Sequence, residues 1–309
     1  LLNLIPRLDT ALPHSLSGVR FTGLSISDQP WLAGNWEVSV ARDGAHDAFS
    51  GASARLLTDK GAVEISLHPT SNPDVASFQL NATNWALPFL SGFAVEAAVA
   101  GGQVSSTQLA ISQYQVAGPF GAVKGDVSAT FDGVWSIAGT AASEGLDIDA
   151  LLKQIAPRAA AADDTPADSD ALFQGMASFK GHFQGKGKSI NEAVSNSVFE
   201  TPVDIRWPVL NGINLGYAAT KPGATAGSGA GGGSTRFTSM DATIVSTASQ
   251  FSLRDIRARA GALSAFGQVN MSANHDLSGL LHVDLGETRV LAPIRVLVKG
   301  SVTRPQFGR

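Results

Sequence analysis

LLHVDLG (280–286) and APIRVLVKGSV (292–302) decide how this chain reads. In the first, Leu281, Val283 and Leu285 fall on one side of an extended backbone while His282 and Asp284 fall on the other. In the second, Ile294, Val296 and Val298 oppose Arg295 and Lys299. A side-chain period of two specifies strands with one apolar and one wetted face. No catalytic motif lies over these strands, and a large sheet of this kind offers a surface that can hold something apolar.

Working outward, the same alternation recurs upstream. LRDIRARAG (253–261) sets Arg257 and Arg259 opposite Ile256 and Ala258, which reads as a solvated strand face rather than a phosphate site. In the first half, Trp36, Val38 and Val40 alternate with Glu37 and Ser39, and Val63, Ile65 and Leu67 with Glu64, Ser66 and His68. Arg42-Asp43-Gly44 and Thr58-Asp59-Lys60-Gly61 serve as turns. Phe93, Val95, Ala97 and Val99 continue the series into an expected Gly101-Gly102 turn. GPFGAVKGDVSATFDGVWSIAG (118–139) reads as a hairpin closed at Asp132-Gly133, since Asp-Gly between alternating runs is a strong hairpin signal.

Two segments carry helical spacing. GLDIDALLKQI (145–155) places Leu146, Leu151, Leu152 and Ile155 together, with Asp147 or Asp149 suited to the helix N-terminus. SINEAVSNS (189–197) has Ser189 and Glu192 at capping-box spacing. PRAAAADDTPADSD (157–170) has little apolar bulk and reads as a disordered linker, and the Gly/Ser run over 221–234 as a flexible loop. The expected organisation is a β-rich region over 1–156 ending in a short helix, the linker, and a second region over 171–309.

Composition agrees with many short strands. Among 309 residues there are 33 glycines and 14 prolines, only 16% charged residues and 7% aromatics. A net charge of -4 argues against nucleic acid as the partner. Cysteine is absent, which removes disulfides and thiolate chemistry. No run approaches the roughly 18 apolar residues of a membrane span, and LLNLIPRL at the start is short and broken by Pro6. The expectation is either a wholly soluble protein or the soluble part of something longer, and the start at Leu1 rather than Met is not that of a complete translation product.

Enzymatic signals are weak. QGKGKS (184–189) lacks the glycine a phosphate-binding loop needs five residues before Gly187, where His182 stands instead. His14, His46, His68, His182, His275 and His282 have no metal-ligand spacing, so no metal and no cofactor is expected. There is no G-x-S-x-G elbow. Asp126, Asp132, Asp147 and Asp149 cluster in sequence and keep a carbohydrate-active β-helix enzyme as a minor alternative, although a turn and a helix start account for three of them.

The order of elements resembles the AsmA family of bacterial envelope proteins, relatives of the bridge-like lipid-transfer proteins. ASFKGHFQGKGKSINEAVSNS (177–197) is similar to the family's strand, short capped helix and return strand, and LNGINLGYA (210–218) to the segment that follows. Residues 235–286 resemble its C-terminal stretch, and APIRVLVKGSVTRPQ (292–306) its closing strand. The resemblance implies a mainly β fold: a large curved, groove-forming, taco-like antiparallel sheet with two or three short helices. It also implies a non-catalytic periplasmic protein anchored at the inner membrane by a segment absent from this chain. The implied role is phospholipid movement toward the outer membrane or outer-membrane assembly, with envelope proteins as further partners.

An apolar trough would bind acyl chains without specific polar contacts, at about 0.8 kcal/mol per buried CH2. The expected lining is Phe179, Phe183, Val203, Ile205, Phe237, Phe251, Leu253, Leu281, Val283, Leu285, Ile294, Val296 and Val298. Inward alternation looks the same in an open groove and in a closed core. The competing reading is therefore a structural envelope or secretion-system component with no lipid cargo.

Overall fold

The computed structural model describes residues 18–25, 35–43, 48–57, 61–86, 94–155, 173–220, 233–286, 292–301 and 305–308. The expected 157–170 linker, residues 221–232 of the expected loop, LLNLIPRL, Phe93, Gly44 and residues 58–60 lie outside that set. The described residues are mainly β, with eighteen strands and three short helices. The expected mainly β, antiparallel-rich fold class is the one observed. They fall into two compact units, one of 1–118, 122–140 and 186–194, the other of 119–121, 141–185 and 195–309.

In the first unit the chain runs β1 (Gly18–Ser25), β2 (Asn35–Asp43), β3 (Ala48–Leu57), β4 (Ala62–Pro69), β5 (Val75–Ala86), β6 (Ala94–Ser105) and β7 (Gln108–Gly118). Each pairs antiparallel with the next. β8 (Gly121–Asp132) and β9 (Val134–Asp147) follow across Gly133, whose φ of 70° is the left-handed value a tight hairpin needs. Tertiary pairing overrides two sequence expectations here. Gly101-Gly102 is not a turn: β6 runs straight through it, the facing strand β7 bulges there by one residue, Ser112, and a Cβ on Gly102 would lie 1.9 Å from the Ala110 carbonyl oxygen. The turn comes later, where Ser105 Oγ accepts the amides of Thr107 and Gln108. Val99 does not face the core: it is 48% exposed, because the pairing of Ala82 with Ala98 turns Ala98 inward instead.

The second unit holds the end of β9, helix α1 (Ile148–Ile155), β10 (Phe173–Gly187) and β11 (Val198–Leu210). Between β10 and β11 lies α2 (Ile190–Ser195), most of which belongs to the first unit. There Ala193 packs with Ala129 and Ile137, flanked by Trp135 and Phe131 edge to face at 3.9 Å. After β11 come α3 (Leu215–Thr220), β12 (Thr235–Arg236), β13 (Ser239–Ser246), β14 (Gln250–Ala260), β15 (Leu263–Ser272), β16 (Leu277–Asp284), β17 (Ile294–Gly300) and β18 (Pro305–Gly308). β10, β11, β13 and each later strand pair antiparallel in sequence order.

Each helix start is fixed by a side chain. Ala150 N–H donates to Asp147 Oδ1 at 3.1 Å, so Asp147 caps α1, while Asp149 pairs with Lys153 at 2.7 Å. Leu146, expected on the helix, closes β9 instead. Glu192 N–H donates to Ser189 Oγ at 3.1 Å, as the capping box requires, but Glu192 Oε2 reaches back to the amide of Lys188 rather than that of Ser189. α3 is capped by Asn214, whose Oδ1 accepts Tyr217 N–H at 2.9 Å. Among the described residues no helix is long and apolar enough to cross a membrane.

Candidate functional site

In a sheet, residues directly paired across strands project from the same face. Following the pairs across the second unit therefore sorts its side chains into rows. One row runs Ala177, Ile205, Met240, Ala258, Ala265, Val283 and Ile294, and the next along the strands contains Phe179, Val203, Ala242, Leu281 and Val296. A third contains Thr201, Ile244, Leu253, Val269, Gly279 and Val298. A fourth runs Phe183, Phe199, Ser246, Phe251, Met271 and Leu277. The face is almost wholly apolar over six or seven strands, about 25–30 Å at the usual strand spacing.

Keeping that face in phase requires a bulge in β14. The register slips between Leu253 and Ile256, and Asp255 takes a φ of 51°. Without the extra residue, strict alternation would carry Asp255 and Arg257 onto the side of Phe251 and Leu253. With it, Ile256 and Ala258 are buried and Arg257 and Arg259 exposed, as their spacing implies.

Burial changes along the strands. In the row of Val283 every residue but Ile294 is buried, and Val203, Ala242, Leu281 and Val296 are buried beside it. Val283 and Val296 are 0% exposed and Val298 1%. Helix α3 touches β16, β17 and β18. Leu215, Ala218 and Ala219 are buried, and a Cβ on Gly216 would sit 3.6 Å from Leu263 Cδ1 and 3.8 Å from Leu285 Cδ2. The small residues of α3 thus let its backbone settle onto the sheet as a lid. Thr235 holds the lid's start, its hydroxyl accepting Leu215 N–H and donating to the Ile213 carbonyl, both at 2.8 Å. At the other end of the strands, Phe183, Phe199, Phe251, Met271 and Leu277 are all half-buried, as are Ile244, Leu253 and Val269.

The expected lining residues divide accordingly. Val203, Ile205, Leu281, Val283, Val296 and Val298 lie in the closed half, and their space is filled by the chain itself. Phe183, Phe251 and Leu253 lie in the open half, and Phe179 is half-buried, packing edge to face on Phe199 at 5.9 Å. Leu285 and Ile294 are half-buried near the lid. Phe237 stands between β12 and β13, buried, its amide donating to the Pro208 carbonyl at 2.8 Å. Sequence reasoning passed over Phe199, Ile244, Val269, Met271 and Leu277, although each sits in an alternating run.

The first unit has an apolar face of its own. Trp36, Leu56, Val63, Ala82 and Ala98 form a buried row. Next to it Val38, Ala54, Ile65, Leu80, Ala100 and Tyr114 form a half-buried one. The reverse face is wetted, as in the row Ser39, Ser53, Ser66, Gln79, Gly101 and Gln113. A cavity of about 410 Å3 in this unit has a mixed lining, with His68, Ser77, Gln79, Gln103 and Ser112 beside Phe78 and Ala110, and includes none of the residues of the two apolar rows.

The carboxylates are accounted for structurally. Asp147 caps α1, Asp149 pairs with Lys153, Asp132 precedes the Gly133 turn, and Asp126 accepts from Thr140 Oγ1. Tyr114 donates to the Thr140 carbonyl at 2.9 Å, and its phenol is pushed above its ordinary 10.0 by burial and then by the Asp126 carboxylate. Among the described residues no three His, Asp or Glu side chains gather as a metal site. His282 stacks on Phe266 at 5.0 Å, while His14 and His46 lie outside the described residues. The chain matches no protein-family model, no curated protein and no solved structure.

Proposed function

We propose that this chain is the periplasmic part of an AsmA-like protein that binds phospholipid acyl chains without catalysis. In this reading it serves lipid passage between the inner and outer membranes, or outer-membrane biogenesis, and the full-length protein is anchored at the inner membrane. The observation that carries the reading is the open half of the apolar face, where Phe183, Phe199, Phe251, Met271 and Leu277 line up across six strands and stay half-buried. Apolar area left in contact with water is unfavourable by about 25 cal/mol per Å2, and an acyl chain laid across the row removes that contact. Few polar groups interrupt the row, which suits a ligand recognised by its hydrocarbon rather than its headgroup.

The half-buried row of Val38, Ile65 and Leu80 in the first unit supports the same chemistry there. A purely structural envelope component is the second reading, favoured by the full burial of Val283, Val296 and Val298, which leaves no room for a ligand under the lid. The test is mass spectrometry of an organic extract of the purified protein. Stoichiometric phospholipid supports the proposal, and a protein that carries none, and takes up none from added micelles, removes it.

A further inference from the structure

Trp207 is the most exposed large apolar side chain among the described residues, at 67%, and it lies on the wetted side of the second unit. It is held there by the backbone. Between the pairs Gln174–Val209 and Met176–Arg206, two residues of β11, Trp207 and Pro208, stand opposite the single Gly175 of β10. Trp207 takes a φ of 52°, a conformation that bulky side chains rarely adopt. The bulge is locked: Pro208 is fully buried, its carbonyl accepts Phe237 N–H, and a Cβ on Gly175 would come within 2.8 Å of Ile205 Cγ2. A bulge of this kind re-aims a side chain, and here it aims an indole away from the protein.

The surroundings of Trp207 are cationic. The Arg206 guanidinium lies 5.7 Å from the indole centroid. Arg206, Ser239 and Arg259 are in register on β11, β13 and β14, and Arg236 stands opposite Val209 on β12, all three arginines being exposed. Along that row the first carboxylate is Asp284 on β16, beyond Ser264. One row inward Asp204 and Asp241 face Arg257, and Phe266 is 43% exposed.

We propose that this surface docks on an anionic lipid bilayer, with Trp207 seated at headgroup level and Arg206, Arg236 and Arg259 contacting lipid phosphates. Indole rings settle at the membrane–water interface because one part is apolar and the N–H is polar, and guanidinium groups pair with phosphate in a forked geometry. A single indole standing among arginines needs no shape-matched pocket, which favours a fluid headgroup layer over a folded partner. The inference does not depend on the apolar face, since it concerns the opposite side of the sheet.

Co-sedimentation of the chain with vesicles of phosphatidylcholine alone, or of an equimolar phosphatidylcholine–phosphatidylglycerol mixture, tests it. The wild type binds the anionic vesicles, with a blue shift of tryptophan emission, and leaves the neutral ones. Binding weakens as salt shortens the Debye length. Replacing all three arginines by glutamine lowers partitioning about 100-fold, at roughly fivefold for each cation near an anionic surface. Trp207→Ser abolishes the blue shift, and both variants keep the wild-type thermal midpoint because the side chains are exposed. If a variant fails to fold, quenching of wild-type emission by brominated anionic lipid makes the same decision. Wild-type protein that ignores anionic vesicles, or a triple variant that binds them undiminished, overturns the proposal. So does a wild type that binds soluble polyglutamate but no vesicle, which would make the patch a protein-docking surface.

Discussion

Replacing Val296 by Asp puts a carboxylate where the chain leaves no accessible surface at all. Val296 pairs with Leu281 on the apolar face, and the nearest cation in sequence, Arg295, projects from the other. The substitution forfeits about 1.5–3 kcal/mol of valine burial and adds an unpaired buried charge at about 3–5 kcal/mol. The sum, about 5–8 kcal/mol, rivals the whole stability of many domains, so Val296→Asp is expected not to fold or to melt far below the wild type. Leu253→Asp sits on the same face but in the open half, where water can follow the carboxylate, and it should cost about 1–2 kcal/mol. Bound lipid should fall in that variant while the fold survives. Arg295→Asp, on the wetted face, should change neither. Thermal midpoint and extracted phospholipid, measured together on all three, separate the cases. A Val296→Asp protein that melts near wild type with its lipid lost would refute the lid over that strand, and a folded Leu253→Asp protein with undiminished lipid would exclude the open half as the binding surface.

Thr235→Val keeps the shape but strands the Leu215 amide and the Ile213 carbonyl, so the denaturation midpoint should drop by the equivalent of about 3 kcal/mol in unfolding free energy. Tyr114 has its folded pKa raised above the unfolded 10.0, so above that pH the folded state holds the proton longer than the unfolded one. Its contribution is therefore complete below about pH 10 and is lost as pH rises through the folded value. Urea titrations between pH 9 and about 11 should show that loss in the wild type and a flatter limb in Tyr114→Phe.

Much of the fold was legible because strand phase is a local property. Leu281, Val283, Ile294, Val296 and Val298 share a face in the sequence and share it in the sheet. Ser189 caps α2 as its spacing implied, and of the two aspartates expected near the start of α1 it is Asp147 that caps it. What failed was phase that depends on a neighbour. Gly101-Gly102 looks like a turn to any local rule, yet β5 and β7 on either side keep the strand going, and the bulge opposite the pair is Ser112 on β7. Val99 shows the same dependence, since alternation alone cannot tell which of two small-residue faces the adjacent strand will cover.

The division of the apolar face into a closed and an open half was out of reach for a related reason. Period two says which side chains share a face, but what covers that face is set by a segment far along the chain. Over β16, β17 and β18 the cover is α3, six residues after an irregular stretch, with Leu215, Ala218 and Ala219 buried. Nothing in LGYAAT has the bulk or length that announces a core helix. Its place is fixed instead by Thr235, on a strand 20 residues away from Leu215, and by the glycine that lets it approach Leu263 and Leu285. Where α3 ends, the same kind of residue in the same alternation changes role. Val298 at 1% exposure belongs to the protein's own core, whereas Leu253 and Val269, in the same row, remain half-buried, and it is there that the proposed acyl-chain binding is placed.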